Sequence, residues 1–256
     1  VDRTDARRLP GPGKLMRVAS QLPVCCSNPS ALWPFASSLA NVHLYSCSLD
    51  SALISPEAFI QAGISLPANI QHAAAKRQTE FLAGRLCARS ALLRHGQPPC
   101  ATDRDAQGAP LWPAELCGSI THSGNLAAAV VATRSQWRGI GLDAELPLSA
   151  SRAERLAEKI LSPAEMQRLA SLPPEQRAAR ISLTFCSKEA LFKALYPLVR
   201  QGFYFQDAEL LGCQPDGRLQ LRLLRDPGSG WPAGSQLDGY HAELGRHLLS
   251  LVSIPA

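Results

Sequence analysis

The chain has 256 residues, 46% of them hydrophobic and 18% charged. That is enough length and apolar content to bury a full core, and it excludes a disordered, fibrous or disulfide-scaffold protein. A formal net charge of +5 favours phosphorylated or polyanionic partners without choosing among them; with no long run of Lys or Arg, nucleic acid is not an expected partner.

In chain order, the opening VDRTDARRLPGPGK is basic but is not followed at once by the apolar core of a secretion signal. Residues 1–30 are expected to be a flexible extension, and the compartment is expected to be cytoplasmic. No stretch approaches the roughly 18 apolar residues of a membrane span. The eight cysteines include no CxxC pair and no zinc-ligand spacing. Those inside apolar runs are expected to be small buried hydrophobes in a reducing compartment.

Alternation in VHLYSCSL predicts a strand between Trp33 and Asp50. From Asn69 to His95 the spacing of Phe81, Leu82, Leu86, Leu92 and Leu93 predicts one long helix, with Lys76, Arg77, Glu80, Arg85 and Arg89 on its polar faces and Gly96 as its stop. Gln97 to Pro113 is a Pro- and Gly-rich loop. SITHSGNLAAAVVAT predicts a strand, a polar turn and a second strand or short helix, and WRGIGLDAEL a strand that ends in carboxylates. A polar helix is predicted over Ser151 to Ile160. Ser162-Pro163-Ala164-Glu165 has the pattern of a capped helix start, Ser182 to Leu195 predicts a further helix, and LQLRLLRD and HLLSLVSI predict strands. The fold class is α+β, with roughly half of the chain before Arg138.

Three clusters could carry chemistry. Asp143 and Glu145 are two apart, so on a strand both point to one face; such a pair is either a solvated strand end or part of a site for a hard cation such as Mg2+. In FCSKEALFK, Glu189 and Lys193 lie one helical turn apart. That is either a surface ion pair or, joined to the first pair, a third carboxylate with an ammonium beside it. Thr121, His122 and Ser123, followed by Gly-Asn, offer hydroxyls, an imidazole and turn N–H groups that suit an anion; equally, they form a turn with a hydrogen-bonded histidine. His43, His72, His95, His241 and His247 form no metal-ligand spacing, and neither a nucleophile elbow nor a dinucleotide fingerprint is present.

In their order and separation, KRQTEFLAGR, APLWP, GSITHS, GIGLDAE and FCSKEALFKA resemble the 4'-phosphopantetheinyl transferase superfamily, and more closely its siderophore-associated bacterial branch, from about His43 to Ile254. The resemblance implies two similar α/β subdomains, residues 31–138 and 139–256, with coenzyme A as substrate in the cleft between them. It implies Mg2+, with Mn2+ as a substitute, on Asp143, Glu145 and Glu189, and Lys193, Thr121 and His122 on the pyrophosphate side. Lys76, Arg77, Arg85 and Arg89 become candidates for the 3'-phosphate end, Arg85 foremost. Where relatives carry Lys or Arg before the proline of the PLWP segment, this chain has Gln107, Gly108 and Ala109, so that contact is expected from backbone or from Arg104. The implied reaction is transfer of the phosphopantetheine arm to a serine of acyl carrier proteins and of peptidyl or aryl carrier domains, with Glu189 as first candidate for the base and Glu165 as the reserve. A broad acceptor range is expected; a transferase restricted to siderophore or nonribosomal peptide pathways is the alternative, and a non-catalytic coenzyme-binding scaffold is another. Met166 and Leu169, between Ser151 and Arg180, are candidate carrier contacts, and a monomer is expected.

Overall fold

The computed structural model describes residues 22–99, 102–105, 107–228 and 230–256. Its strands form two antiparallel sheets. The first, ordered β1-β2-β4-β3, contains β1 (Ser30–Ala31), β2 (Val42–Ser48), β3 (Leu116–Ser123) and β4 (Leu126–Thr133). The second, ordered β5-β9-β8-β7-β6, contains β5 (Trp137–Glu145), β6 (Ala208–Cys213), β7 (Arg218–Leu223), β8 (Gln236–Leu244) and β9 (His247–Pro255). Two short helices, α1 (Glu57–Ala62) and α2 (Ala68–Gln71), precede the long α3 (Ala75–Arg94); α4 (Ala150–Ile160), α5 (Pro163–Ala170) and the long α6 (Pro174–Val199) follow β5.

Strand alternation sorts the core into layers. On β4, Ala127 and Ala129 face α3 and pack with Leu82 and Leu86, while Ala128 and Val130 face the second sheet and meet Leu142, Leu249 and Leu251. The far side of the second sheet buries Leu221 and Val252 against Leu191 and Leu195 of α6. The order is helix, sheet, sheet, helix, the α+β arrangement expected.

Helix α6 lies unusually close to β5. Cys186, Ala190 and Ala194 recur every four residues and present one narrow face. The Cys186 thiol donates to the Asp143 carbonyl. A Cβ on Gly139 would stand 2.5 Å from the Ala194 carbonyl oxygen, and one on Gly141 would collide with the Ala190 carbonyl. Small residues on both elements let the two backbones touch.

Several expectations change. The helix expected over Asn69–His95 is broken between α2 and α3, where the Gln78 side-chain amide donates to the carbonyls of Gln71 and Ala73 at 3.0 Å each. Glu80 and Arg85, expected on polar faces, are buried, and Leu93 is exposed. The last expected helix begins earlier, at Pro174. The expected 1–30 extension is too long: Cys25 and Cys26 are buried in the first core, and Cys26 bridges to Leu49; residues 1–21 and Cys100 lie outside the described residues. Among the described residues seven cysteines are free thiols, six of them buried. The capping box at Ser162 and Glu165 is formed as expected. Among the described residues no helix is long and apolar enough to cross a membrane.

Gly141→Ala is expected to destabilise the protein by about 3 kcal/mol or more, because neither backbone can move without opening the core. Urea unfolding followed by circular dichroism measures this, and an unchanged midpoint would show that the α6–β5 contact is not tight.

Candidate active site

Edge strands β3 and β5 belong to different sheets, yet hydroxyls on alternate residues of β3 reach across to β5. Ser119 Oγ donates to the Leu142 carbonyl at 3.3 Å. Thr121 Oγ1 donates to Asp143 Oδ1 at 3.1 Å and accepts from Ala144 N at 3.0 Å. Ser123 Oγ donates to Glu145 Oε2 at 3.3 Å and accepts from Leu146 N at 3.2 Å. This row fixes the two carboxylates of β5 against the first sheet.

The touching backbones bring α6 to the same place. Lys193 Nζ lies 2.6 Å from Asp143 Oδ1 and 3.3 Å from Thr121 Oγ1. Asp143 is 3% exposed, and its other oxygen, Oδ2, is buried with no partner. Burial, then the Asp143 charge, pushes the Glu145 carboxyl up to about 7, with Glu189 adding to the rise. Burial, opposed by Lys193 and reinforced by Asp143, also raises Glu189. Burial alone would lower the Lys193 ammonium, but Asp143 and Glu189 hold it above its ordinary value. Asp143, Glu145, Glu189 and Lys193 therefore form one electrostatic cluster. Among the described residues no three His, Cys, Asp or Glu side chains converge closely enough to hold a metal as they stand; Asp143 Oδ1 is engaged by Lys193.

Beside this cluster, Arg77 donates to His122 Nε2 at 2.8 Å. That nitrogen must be the acceptor, so the ring proton sits on Nδ1, 3.4 Å from Glu80 Oε2. Burial lowers the His122 pKa, with Glu80 opposing and Arg77 and Lys193 assisting, which favours the neutral ring. Glu80 is 7% exposed and also faces Arg77 at 3.7 Å and Lys76 at 3.9 Å. Sequence periodicity placed Glu80 on an outer face; the signal that could have found it is its i,i+3 and i,i+4 spacing from these two cations.

Two clefts flank the loop at Gln107 and Gly108, which lines both. The larger, about 870 Å³, is lined by Phe81, Arg85, Thr102 and Arg104 among others. Both guanidinium groups lie over the Phe81 ring, at 4.7 and 5.9 Å. Arg85 is 5% exposed, its Nε has no partner, and burial followed by the charges of Arg104 and Arg77 pushes its pKa down to about 10. Asp103 offsets part of this charge, but crowded guanidinium groups with buried nitrogens left without partners suit an anion. Arg104 supplies a basic group where Gln107–Ala109 offer none. The second cleft, about 370 Å³, is lined mainly by apolar groups, including Trp112, Ile120, Phe192 and Tyr196, and Lys193 stands at its wall.

Some expected site residues lie elsewhere. Arg89 donates to the Ala62 carbonyl at 2.5 Å and closes the end of α1. Lys76 is exposed and, among the described residues, reaches only Glu80. Glu165, the reserve base, is enclosed: its Oε2 accepts from Ser162 N at 2.7 Å and from the buried Lys188 Nζ at 2.6 Å, and its Oε1 accepts from Leu210 N at 2.7 Å. It ties α5 to α6 and β6 and makes no contact with the acid cluster. Met166 is partly buried and packs against the cluster around Ile160 and Leu169.

Comparison with known proteins identifies the family. Residues 66–132 match the 4'-phosphopantetheinyl transferase N-terminal domain and residues 139–245 match the 4'-phosphopantetheinyl transferase superfamily model, one on each sheet. The chain is 35% identical over 181 residues to the 4'-phosphopantetheinyl transferase PptT of Mycobacterium tuberculosis, covering 66% of this chain and 72% of that protein. It is 37% identical over 135 residues to the transferase Npt of Nocardia iowensis, covering 53% of this chain and 59% of that protein. Likeness to the siderophore-associated branch is borne out by enterobactin synthase component D of Escherichia coli K12, 42% identical over 127 residues, covering 50% of this chain and 59% of that protein. The chain belongs to the 4'-phosphopantetheinyl transferase superfamily. Its alignments span about three fifths of the Nocardia and Escherichia proteins.

The raised Glu145 pKa carries a stability consequence. A carboxyl that binds its proton more tightly folded than unfolded stabilises the fold below its ordinary pKa and loses that contribution as pH rises through about 7. In metal-free buffer, Glu145→Gln is expected to be more stable than the parent at pH 8 by about 1–2 kcal/mol, a discounted figure because the carboxylate is only partly buried, with the gain vanishing near pH 5. Thermal unfolding across this range checks it; a pH-independent difference would refute the assignment.

Proposed function

We propose that the protein transfers the 4'-phosphopantetheine arm of coenzyme A to a serine of acyl and peptidyl carrier proteins. The observation that carries this reading is a pair of charged groupings joined by two adjacent clefts: Arg85 and Arg104, each with a buried guanidinium nitrogen lacking a partner, in the larger cleft, and Lys193, which lines the smaller cleft and links it to the Asp143–Glu145–Glu189 carboxylates behind it. Coenzyme A is a matching ligand, with a 3'-phosphate at one end, a diphosphate in the middle and a largely apolar arm at the other.

On this reading Arg85, Arg104 and Arg77 bind the 3'-phosphate, His122 lies along the nucleotide, and Trp112, Phe192 and Tyr196 receive the arm. The orphaned Asp143 Oδ2 and the raised pKa values of Glu145 and Glu189 fit a hard divalent cation, which these three residues would hold and for which Mg2+ is the natural choice. When bound, such an ion neutralises charge on the diphosphate oxygens. The Lys193 ammonium, held by Asp143, would offset negative charge on the same oxygens that otherwise repels the attacking alcohol. Glu189, the carboxylate beside the cation, takes the serine proton as the serine oxygen bonds to the β-phosphorus. The diphosphate P–O bond breaks, adenosine 3',5'-bisphosphate leaves with the electron pair, and the arm remains on the serine.

Intact-mass spectrometry of an apo carrier protein incubated with the enzyme, Mg2+ and coenzyme A is expected to show a gain of about 340 Da, and Glu189→Gln to cut the rate by about 10² or more while remaining folded. No mass gain with either a fatty-acyl or a peptidyl carrier would refute the function. Comparable kcat/KM for the two carriers supports a broad range over a transferase restricted to siderophore or nonribosomal peptide assembly.

Arg85→Ala is expected to weaken binding of coenzyme A by about tenfold or more and to leave binding of 3'-dephospho-coenzyme A nearly unchanged, since the lost charge-assisted bonds concern one phosphate. Calorimetric titration of both ligands distinguishes this from general damage to the cleft, which would weaken both equally.

A further inference from the structure

His247 stands outside every grouping used above. It opens β9, is 7% exposed, and its Nε2 lies 2.9 Å from the Ser123 carbonyl oxygen. A carbonyl can only accept, so Nε2 carries the proton and donates. The contact joins the second sheet to the end of β3, at the turn through Gly124 and Asn125. That turn sits flush on the histidine: a Cβ on Gly124 would be 3.3 Å from His247 Nε2 and 3.0 Å from Leu146 Cδ1. Ser123 in turn donates to Glu145 Oε2 and accepts from Leu146 N, while Leu248, the neighbour of His247, is paired with Glu145 across β5 and β9.

We propose that His247 is a positioning residue: by holding the Ser123 carbonyl it keeps the Ser123 hydroxyl on Glu145 and so fixes the direction in which that carboxylate faces the diphosphate site. Ser123 is the last residue of β3, with an exposed turn beyond it. Without His247 the end of the hydroxyl row is held to the second sheet only at the Ser123 hydroxyl, and its backbone is free to turn that hydroxyl away from Glu145. The inference rests on the reading of Glu145 as a cation-holding carboxylate.

The test uses the full chain and four variants: His247→Leu, His247→Gln, Ser123→Ala and the His247→Leu/Ser123→Ala pair. Mn2+ uptake in the presence of coenzyme A is read from the electron paramagnetic resonance signal of free Mn2+, beside thermal unfolding. His247→Leu is expected to weaken Mn2+ uptake by about tenfold, the usual scale for a residue that orients a ligand from behind. His247→Gln, which can still donate from the same place, is expected to restore most of the affinity. Since the two residues act in series, the double variant is expected to lose no more than the worse single one. Normal uptake by His247→Leu, failure of His247→Gln to rescue, or additive losses in the double variant would each overturn the positioning role while leaving the functional reading intact. If the parent protein itself takes up no Mn2+ with coenzyme A, the functional reading falls and this inference falls with it.

Discussion

The site depends on one steric condition, that two backbones be allowed to touch. Gly139 and Gly141 on β5 face the stripe of Cys186, Ala190 and Ala194 on α6. Residues 189 and 193 stand next to that stripe in the helical rotation, so closing the gap also sets the reach of Glu189 and Lys193 toward Asp143. With ordinary side chains between them helix and strand would stand farther apart, and the 2.6 Å contact of Lys193 with Asp143 would require a different rotamer or a different register. The chemistry of the motif is carried by acids and a lysine, but its geometry is carried by the residues that have almost no side chain.

Placing the charges has an energetic cost that points to a ligand. Two carboxyls raised by burial and by their neighbours, a buried carboxylate oxygen with no donor, and a guanidinium pushed down to about 10 by burial and two other arginines are all groups held where their charge is unwelcome. Folding alone gains nothing from such an arrangement. By contrast, Glu165 with Lys188, and Glu209 between Arg168 and Arg222, are buried acids whose partners are complete. The difference separates acids that hold the fold from acids that await something.

What the sequence made legible was local. Alternation in VHLYSCSL and GIGLDAEL, the capping box at Ser162 and the i,i+4 relation of Glu189 to Lys193 each concern neighbours in the chain, and each is found in the structure. Strands β6 and β8 escaped because Gly212, Asp238 and Gly239 interrupt their alternation and β6 carries an irregularity between Leu210 and Gly212. The burial of Glu80 and Arg85 escaped for a different reason. Helical periodicity assigns polar residues to the outside, and here His122 of β3 arrives over Glu80 and the loop that carries Arg104 arrives over Arg85, covering faces that should be wet. Cys25 and Cys26 escaped because the sequence around them shows neither helical nor strand periodicity, although they belong to the core.

The manner in which the halves join explains why the site forms at a sheet edge. Had β3 and β5 paired through their backbones, the two sheets would be one. The side chains of Thr121 and Asp143 would then stand perpendicular to a common surface, side by side rather than pointing at each other. Because the sheets instead pack against one another through Ala128, Val130, Leu142 and Leu251, the alternate residues of β3 that would otherwise be apolar are Ser119, Thr121 and Ser123, and their hydroxyls bond to the polar groups along β5. Burying hydroxyls at a sheet interface is unfavourable unless each finds a partner. The row therefore admits only the register in which Thr121 meets Asp143, and that register also carries Lys193 and the carboxylates to one point.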